Sequence, residues 1–483
     1  MSFRINPRKG LRRLLPLALA AVVTPAAALD LSLEASLEYR HFPEDAPHPA
    51  QHRDYGSLAL APEVYADWDN RDQSVTLRLF GRLDRHDDRR THADVREAFY
   101  RYTARDFEWR VGVQREFWGV LESAHLVDTI NQSDFVEDIA GEAKLGQPMV
   151  NLAWFAPVGT VDFYLMPVFR ERTFPAEDGR PRPLLPVSTA AARTDDDGLD
   201  AAVRYFGSFG RLDVGLSWFH GTGRDPRFDT IYDACDVSVR FNPLFGLPLI
   251  PPVTLGCDRA RAIDPGVLPP WLPRLIEGVD VTVDAPRFAP VYDRIDQAGI
   301  DLQYVRGALS LKAEAIHRRA REFEFTAAGV GLEYTLYDLF GSGYDLGLLA
   351  EYLYDERGRL DRAVAEAAAR LAESDTLRFD SIREARAFQV AVDETQNAAI
   401  LQDDLFLGGR LAFNDLAGSE ILAGAVRDLE TGALFANLEA SRRFLGSYRA
   451  ALTGRFFFDI PVTDPLYGFR DDDYLAVTVT RFF

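Results

Sequence analysis

The stretch Leu31-Ser32-Leu33-Glu34-Ala35-Ser36-Leu37-Glu38-Tyr39 alternates apolar residues with polar or small ones at every step. Successive side chains of a β-strand point to opposite faces, so this run reads as a strand with one apolar and one polar face, Glu34 and Glu38 lying on the latter. A soluble sandwich would bury the apolar face against a second sheet. A barrel wall in a membrane would turn it to lipid.

The same rhythm returns along the chain. Leu58–Trp68, Val75–Leu79, Ala93–Thr103 and Phe107–Val113 follow the first segment. Later segments come in pairs around turn residues. Val150–Phe155 and Val161–Phe169 flank Pro157-Val158-Gly159-Thr160, Leu199–Tyr205 and Leu212–Trp218 flank Gly207-Ser208-Phe209-Gly210, and Ala298–Tyr304 and Leu309–Ala315 flank Gly307. Val330–Leu336 and Leu346–Tyr354 flank Phe340-Gly341-Ser342-Gly343, Leu405–Phe413 and Ile421–Ala425 flank Asn414–Ser419, and Leu434–Ala440 and Tyr448–Phe458 flank Gly446-Ser447. Leu475–Phe483 is the last segment. The sum is about 18 strands, an even number within the range of single-chain barrels. Even-numbered connections are short and odd-numbered ones generally longer, the asymmetry of outer-membrane barrels with tight periplasmic turns and long extracellular loops. The expected fold is an all-β transmembrane barrel of antiparallel strands. Tyr39, Trp68, Trp109, Trp154, Trp218, Tyr304, Tyr334, Tyr352, Tyr354 and Phe458 fall near strand ends or on apolar faces, where interfacial girdles need them.

The N-terminus carries a different signal. Arg4, Arg8, Lys9, Arg12 and Arg13 precede the apolar run Leu14–Val23, and Ala26 and Ala28 suit a small-residue cleavage site. Residues 1–28 are expected to be a signal peptide and residues 29–483 the barrel. The apolar run is too short for a spanning helix, and no later stretch reaches the roughly 18 apolar residues one needs. The formal charge of −20 becomes −25 once the five basic leader residues are removed. Such acidity argues against nucleic acid as a partner and is explained by solvated acidic loops. The first strand follows the cleavage site directly, which argues against a plug-bearing TonB-dependent receptor. Cys235 and Cys257, exported to an oxidising compartment, are expected to form a disulfide within one long loop, away from the barrel core.

Four insertions break the rhythm, at about residues 117–147, 172–197, 221–297 and 357–402. Loops of this length are usually functional or disordered. Within the last, Arg359–Glu373 has the Ala-rich composition and i, i+4 charges of a helix. The chain ends Val477, Val479, Arg481, Phe483 in alternation. A terminal Phe on such a strand resembles the signal read by barrel-assembly machinery, with Arg481 departing from the usual apolar residue.

The most distinctive segment runs Gly112-Val113-Gln114-Arg115-Glu116-Phe117-Trp118-Gly119, then His125-Leu126-Val127-Asp128, Asn131-Gln132-Ser133-Asp134 and Lys144-Leu145-Gly146-Gln147-Pro148-Met149. Over Gly112–Leu152 the chain resembles a porin-like family of Gram-negative outer-membrane barrels, in which a strand ending near Trp-Gly leads through an Asn/Asp-rich segment to a Leu-Gly-x-Pro strand start. Its strand count is also similar to that of the sugar-specific porins and the alginate exporter, in general pattern only. The resemblance implies passive transport and leaves the solute open.

A barrel of this size holds a water-filled lumen. The alternation assigns Arg78, Arg82, Arg110, Arg170, Arg204, Lys312, Arg410, Arg443, Arg449 and Arg455 to its inner face, with Glu34, Glu38, Glu108, Asp213, Asp301, Glu314, Glu333 and Glu439. Rings of charge in a pore set solute preference, whereas opposite charges on neighbouring strands brace the wall. By position, residues 117–147 are the third outer connection, which in general porins folds into the lumen. The same is expected here, with Trp118 in the loop and Asp128, Asn131, Asp134, Glu137 and Asp138 lining a constriction beside Arg110 and Arg170.

Enzymatic arrangements are sparse. Ser123 near His125 and His220-Gly221-Thr222-Gly223 are the two worth weighing, and neither forms a hydrolase signature. His48 and His52 with Glu44 and Asp45 read as a solvated loop rather than a metal site. No catalytic residue, metal or cofactor is expected. The function expected is an outer-membrane channel for passive diffusion of small polar solutes or ions. The alternatives are a surface receptor or adhesin using the long loops, or an outer-membrane hydrolase. Expected partners are phospholipid, lipopolysaccharide, the barrel-assembly machinery and a small polar solute; one sequence leaves monomer and trimer open.

Overall fold

The computed structural model describes residues 28–194, 198–243, 251–261, 269–321, 323–357, 361–373, 376–394 and 399–483. Apart from Ala28, the expected leader lies outside the described residues. Each of the eighteen alternating segments is a strand of one sheet. In chain order they are β1 Ala28–His41, β2 Asp54–Trp68, β3 Gln73–Asp84, β4 His92–Ala104, β5 Phe107–Gln114, β6 Gln147–Ala156, β7 Gly159–Met166, β8 Asp200–Phe209 and β9 Leu212–Thr222. The second half comprises β10 Arg294–Arg306, β11 Leu309–Ala320, β12 Glu324–Leu336, β13 Asp345–Asp355, β14 Asp403–Ala412, β15 Glu420–Asp428, β16 Leu434–Phe444, β17 Tyr448–Phe458 and β18 Tyr474–Phe482.

Every strand pairs antiparallel with its neighbours in sequence, and β1 pairs with both β2 and β18. The last contact of that seam is an exchange of backbone hydrogen bonds between Leu33 and Phe483. The sheet is therefore a closed barrel.

Register carries one set of side chains inward around the whole wall. Glu63 lies opposite Arg78, Arg78 opposite Glu97, Asp162 opposite Arg204, Asp301 opposite Glu314, and Asn437 opposite Arg455. The alternate set forms an apolar exterior. Leu31, Leu37, Val330 and Leu407 are each more than half exposed, the opposite of a soluble core. The ten aromatics singled out from sequence point outward. Trp68, Trp109, Trp154, Tyr304 and Tyr334 sit near the short-turn end of the barrel, and Tyr39, Trp218, Tyr352, Tyr354 and Phe458 near the other.

Residues 69–72, 105–106, 157–158, 210–211, 307–308 and 445–447 make tight turns at one end. The opposite end bears 42–53, 85–91, 115–146, 167–199, 223–293, 356–402 and 459–473. The asymmetry has exceptions: 321–323 and 429–433 are short, and the turns 337–344 and 413–419 are longer than the other turns.

Two of the long loops build a module together. Ala234–Phe241, Val253–Gly256 and Ile276–Asp284 from one loop pair with Thr376–Phe379 from the other in a four-stranded sheet. The helix Arg362–Glu373 begins where Asp361 accepts a hydrogen bond from the Ala363 amide, as an N-cap should. It turns Ala367 and Leu371 onto Val279, Val281, Leu377 and Phe379, a small apolar core separate from the barrel. The Cys235–Cys257 disulfide packs at the edge of that core.

The cysteines are 22 residues apart, and a loop of that length makes the bridge worth about 3 kcal/mol to the module. Cys235→Ser should therefore loosen the module and leave the barrel folded. Limited proteolysis should cut within residues 223–293 sooner than in the parent protein, while the far-ultraviolet dichroism of the strands is unchanged. Loss of the strand signal would show that the two units are not independent.

Candidate functional site

Residues 115–146 leave the wall after β5 and enter the lumen. Backbone inside a barrel has no ladder to join, so its N–H groups need other acceptors. Two wall carboxylates supply them. Glu314 on β11 accepts from the amides of Val120 (2.6 Å), Leu121 (3.0 Å) and Val127 (3.3 Å). Glu351 on β13 accepts from the amides of Glu122 and Ser123, both at 2.8 Å, and from the Ser123 hydroxyl. Arg410 on β14 pairs with Glu122 at 2.6 Å. β13 lies eight strands round from β5, so the segment reaches close to the opposite wall.

The residues of the Trp-Gly and Leu-Gly motifs account for the path. Gly119 has φ +123°, and a Cβ there would stand 2.7 Å from the Glu314 carboxylate. Only glycine lets the chain adopt that angle against the acceptor. Gly146 brings the segment back beneath β4, where a Cβ would lie 2.2 Å from the Arg96 carbonyl oxygen. Asn131 ties the two feet together. Its amide nitrogen donates to the carbonyls of Gln114 (2.9 Å) and Leu145 (2.8 Å), and its oxygen accepts from the Glu116 amide.

The return limb is fixed to β3 and β4. Asp134 is fully buried, 2.6 Å from Arg96 and 2.6 Å from the Thr173 hydroxyl. Arg96 reaches it because of a bulge: Arg78 pairs with Glu97 and Leu79 with Val95, leaving Arg96 extra and turned inward. Burial opposes charge on Asp134, but His92, Arg96 and Thr173 hold its carboxyl down at about 2. Glu137 meets Arg82 at 2.8 Å, and Lys144 meets Asp128 at 3.3 Å. Burial raises Asp128 despite that lysine.

The sequence reading set Trp118 in this loop and Asp128, Asn131, Asp134, Glu137 and Asp138 along a constriction. Trp118, Asn131 and Asp134 are buried, and Trp118 packs against Tyr164 under the Arg204 guanidinium. Glu137 is tied to Arg82 of the wall, Asp128 pairs with Lys144 within the segment and borders the lumen cavity, and Asp138 accepts from the amides of Ala140 and Glu142 to build a turn. A loop crossing a lumen needs satisfied polar groups, and its own charged residues are the nearest source.

All the wall candidates lie on the inner face or at its rim. Arg78 pairs with Glu63 and Glu97, Arg82 also with Glu38 (3.6 Å), Arg110 with Glu116 (2.6 Å) and Glu108 (3.5 Å), Arg204 with Asp301 (2.9 Å), and Arg455 with Glu439 (2.8 Å). Arg170, just beyond β7, pairs with Asp94 at 2.7 Å. Glu34 and Asp213 make no ion pair among the described residues. Sequence reasoning missed Arg96 and Glu351. A lone carboxylate at position 351, between the inward-facing Leu349 and Leu353, is the signal that would have found the latter.

The possible nucleophile and base do not meet. Ser123 donates to Glu351, whereas His125 packs edge-on against Phe117. Burial, with Lys144 and Lys312 nearby, lowers His125 to about 4. His220 stands on the outer surface of the wall, 2.7 Å from Asp296. No cluster of three or more metal-ligating side chains occurs among the described residues.

No family model matches the chain. No curated protein is similar to it in sequence. Among solved structures it is similar to engineered variants of the Rhodopseudomonas blastica porin. A triple mutant aligns at 10% identity with a TM-score of 0.39, and two further variants align at 11% with 0.39 and 0.40. In the latter two the alignment covers 94% of this chain and 100% of the other.

With Asp134 held near 2 in the folded protein, below the ordinary value of about 4, its stabilisation is complete above about pH 4 and lost as pH falls through 2. Hydrogen exchange at residues 131–145, corrected for intrinsic rates, should therefore be alike at pH 7 and pH 5. Asp134→Asn should speed it at both. Faster exchange at pH 5 in the parent protein would contradict the anchor.

Proposed function

We propose that this chain is an outer-membrane porin-like channel that passes small polar solutes or ions by diffusion. One observation carries the reading: the wall is apolar outside and charged inside, and a fixed segment crosses its lumen. A backbone with no free sheet edge and an apolar exterior suits a bilayer. Ion pairs along an aqueous lumen cost little there and shape the local field. On this reading residues 1–28 are a leader removed on export from a Gram-negative cytoplasm, and residues 29–483 are inserted by barrel-assembly machinery. Phospholipid and lipopolysaccharide then surround the aromatic girdles. The wall charges Arg78, Arg82, Arg110, Arg170, Arg204, Arg455, Glu34, Glu38, Glu108 and Asp213 border the solute path. The bound loop narrows it by position, with its charged residues serving as anchors. No step of this function needs a catalytic group.

A second reading, a surface receptor or adhesin, draws on the disulfide-bearing loop module with its own core. Solute uptake by intact cells, with and without the protein, separates the two.

Reconstitution in planar bilayers tests the channel directly. Deleting Ser123–Glu142 removes the contacts to Glu314, Glu351 and Arg96 except those of Val120, Leu121, Glu122 and the Lys144 carbonyl, and should raise single-channel conductance several-fold. Unchanged conductance would remove the constriction. The membrane setting has its own test. Val330→Arg, on the apolar exterior at mid-strand, should cost about 2–4 kcal/mol in refolding into lipid vesicles. Thr453→Arg faces inward opposite Glu439 and should cost under about 1 kcal/mol. Equal costs would mean that the exterior does not meet lipid.

A further inference from the structure

Between the crossing segment and the wall from β11 to β17 lies a cavity of about 310 Å³. That is at the small end of the roughly 300–1,000 Å³ typical of ligand sites. Its two sides differ. The wall side is apolar for a stretch, with Ile316, Phe406, Leu422, Val426 and Phe435. The Phe406 ring lies over Gly408 and Gly424, where a Cβ would come within 2.7 and 2.5 Å of it. The two glycines thus let the largely buried ring lie flat against the wall, where it lines the cavity. Such a lining is out of place in a path built only for ions, because it offers them nothing to replace water.

At one border of the cavity three guanidinium groups converge. Arg172 and Arg318 grip opposite oxygens of Asp225 at 2.8 and 2.9 Å. Arg318 and Arg357 both approach the Phe325 ring, at 5.6 and 4.0 Å from its centre. Arg357 pairs with Asp355 at 2.7 Å. Three cations thus share two carboxylates. Each arginine keeps one terminal nitrogen without a hydrogen bond among the described residues: Nη1 of Arg172, Nη2 of Arg318 and Nη1 of Arg357. Guanidinium donors in this state favour a planar carboxylate.

We propose that the cavity is a binding subsite for a small organic monocarboxylate with an apolar or aromatic body. The carboxylate meets the free nitrogens of Arg172, Arg318 and Arg357, and the body lies on the Phe406–Val426–Phe435 wall. This rests on the channel reading for its place in transport, and gives the channel a solute class. An ion of the same charge without the body lacks the wall contact, and a cation with the body meets the wrong charge.

The test uses the full-length protein in planar bilayers. Potassium chloride current is recorded while sodium benzoate is raised on the loop side, with sodium acetate and benzylammonium chloride as controls. Benzoate should interrupt the current in a saturable way, and acetate and benzylammonium should not. Phe406→Ala and Arg357→Gln should each raise the half-blocking benzoate concentration about tenfold, while Arg357→Lys recovers part of the loss. Retention of the gel mobility shift on heating keeps folding failure apart from lost binding. A channel that conducts potassium chloride but is not blocked by benzoate overturns the subsite and spares the channel. Equal block by benzylammonium or by acetate also overturns it. If no current is seen, the channel reading fails, and calorimetry of benzoate binding to the detergent-solubilised protein decides the subsite alone.

Discussion

Closure of the seam between β1 and β18 is the constraint on which the rest depends. An open sheet of this length would leave two edges of unpaired N–H and C=O groups, a template for aggregation in water and costly in lipid. Pairing from Glu34–Phe482 to His41–Leu475 removes both edges at once. It also fixes a parity. Because side chains alternate, the seam register must match the inward faces of β1 and β18, and a slip of one residue would set Glu38 opposite an outward valine of β18. The inward charge pairs and the outward leucines therefore follow from the same few backbone bonds.

Inside that wall the second demand is on backbone polarity. A loop lying in the lumen brings amides that the strands cannot satisfy. Glu314 and Glu351 each collect several of them, and each stands beside glycines on the neighbouring strand, Gly329 opposite Glu314 and Gly331 opposite Glu351. Gly331 clears space on the wall for the Glu351 side chain, Gly329 clears it for Leu121 of the loop, and Gly119 on the loop lets Glu314 approach. The arrangement is mutual: removal of either partner leaves buried polar groups unpaired, which costs more than the bond itself contributes.

Much of this was legible in the sequence, and the division is physical. All eighteen strands were visible because a wall between two unlike environments imposes a period of two on every residue of every strand. The inward charges followed from that period. The loop residues did not. Asp134 and Asn131 look like any polar loop residues, and their burial is decided by Arg96 and Gln114, which lie outside the loop itself. Arg96 broke the period, since a bulge turns it inward out of phase. The outer module was hidden for another reason. Its sheet joins Ile276–Asp284 to Thr376–Phe379 across four barrel strands, and no local pattern announces so distant a pairing.

The lumen is not uniform, and the crossing segment explains why it need not be. From β1 to β5 the inner wall is dense in paired arginines and carboxylates, while from β14 to β17 it carries Phe406, Val426, Phe435 and Phe457. In an undivided pore the apolar half would meet open water and gain nothing. With residues 115–146 set across the lumen, the charged half is largely taken up by anchoring and the apolar half is left bordering the remaining space. The same chain segment that obstructs the barrel thus decides which side of its wall borders the open space.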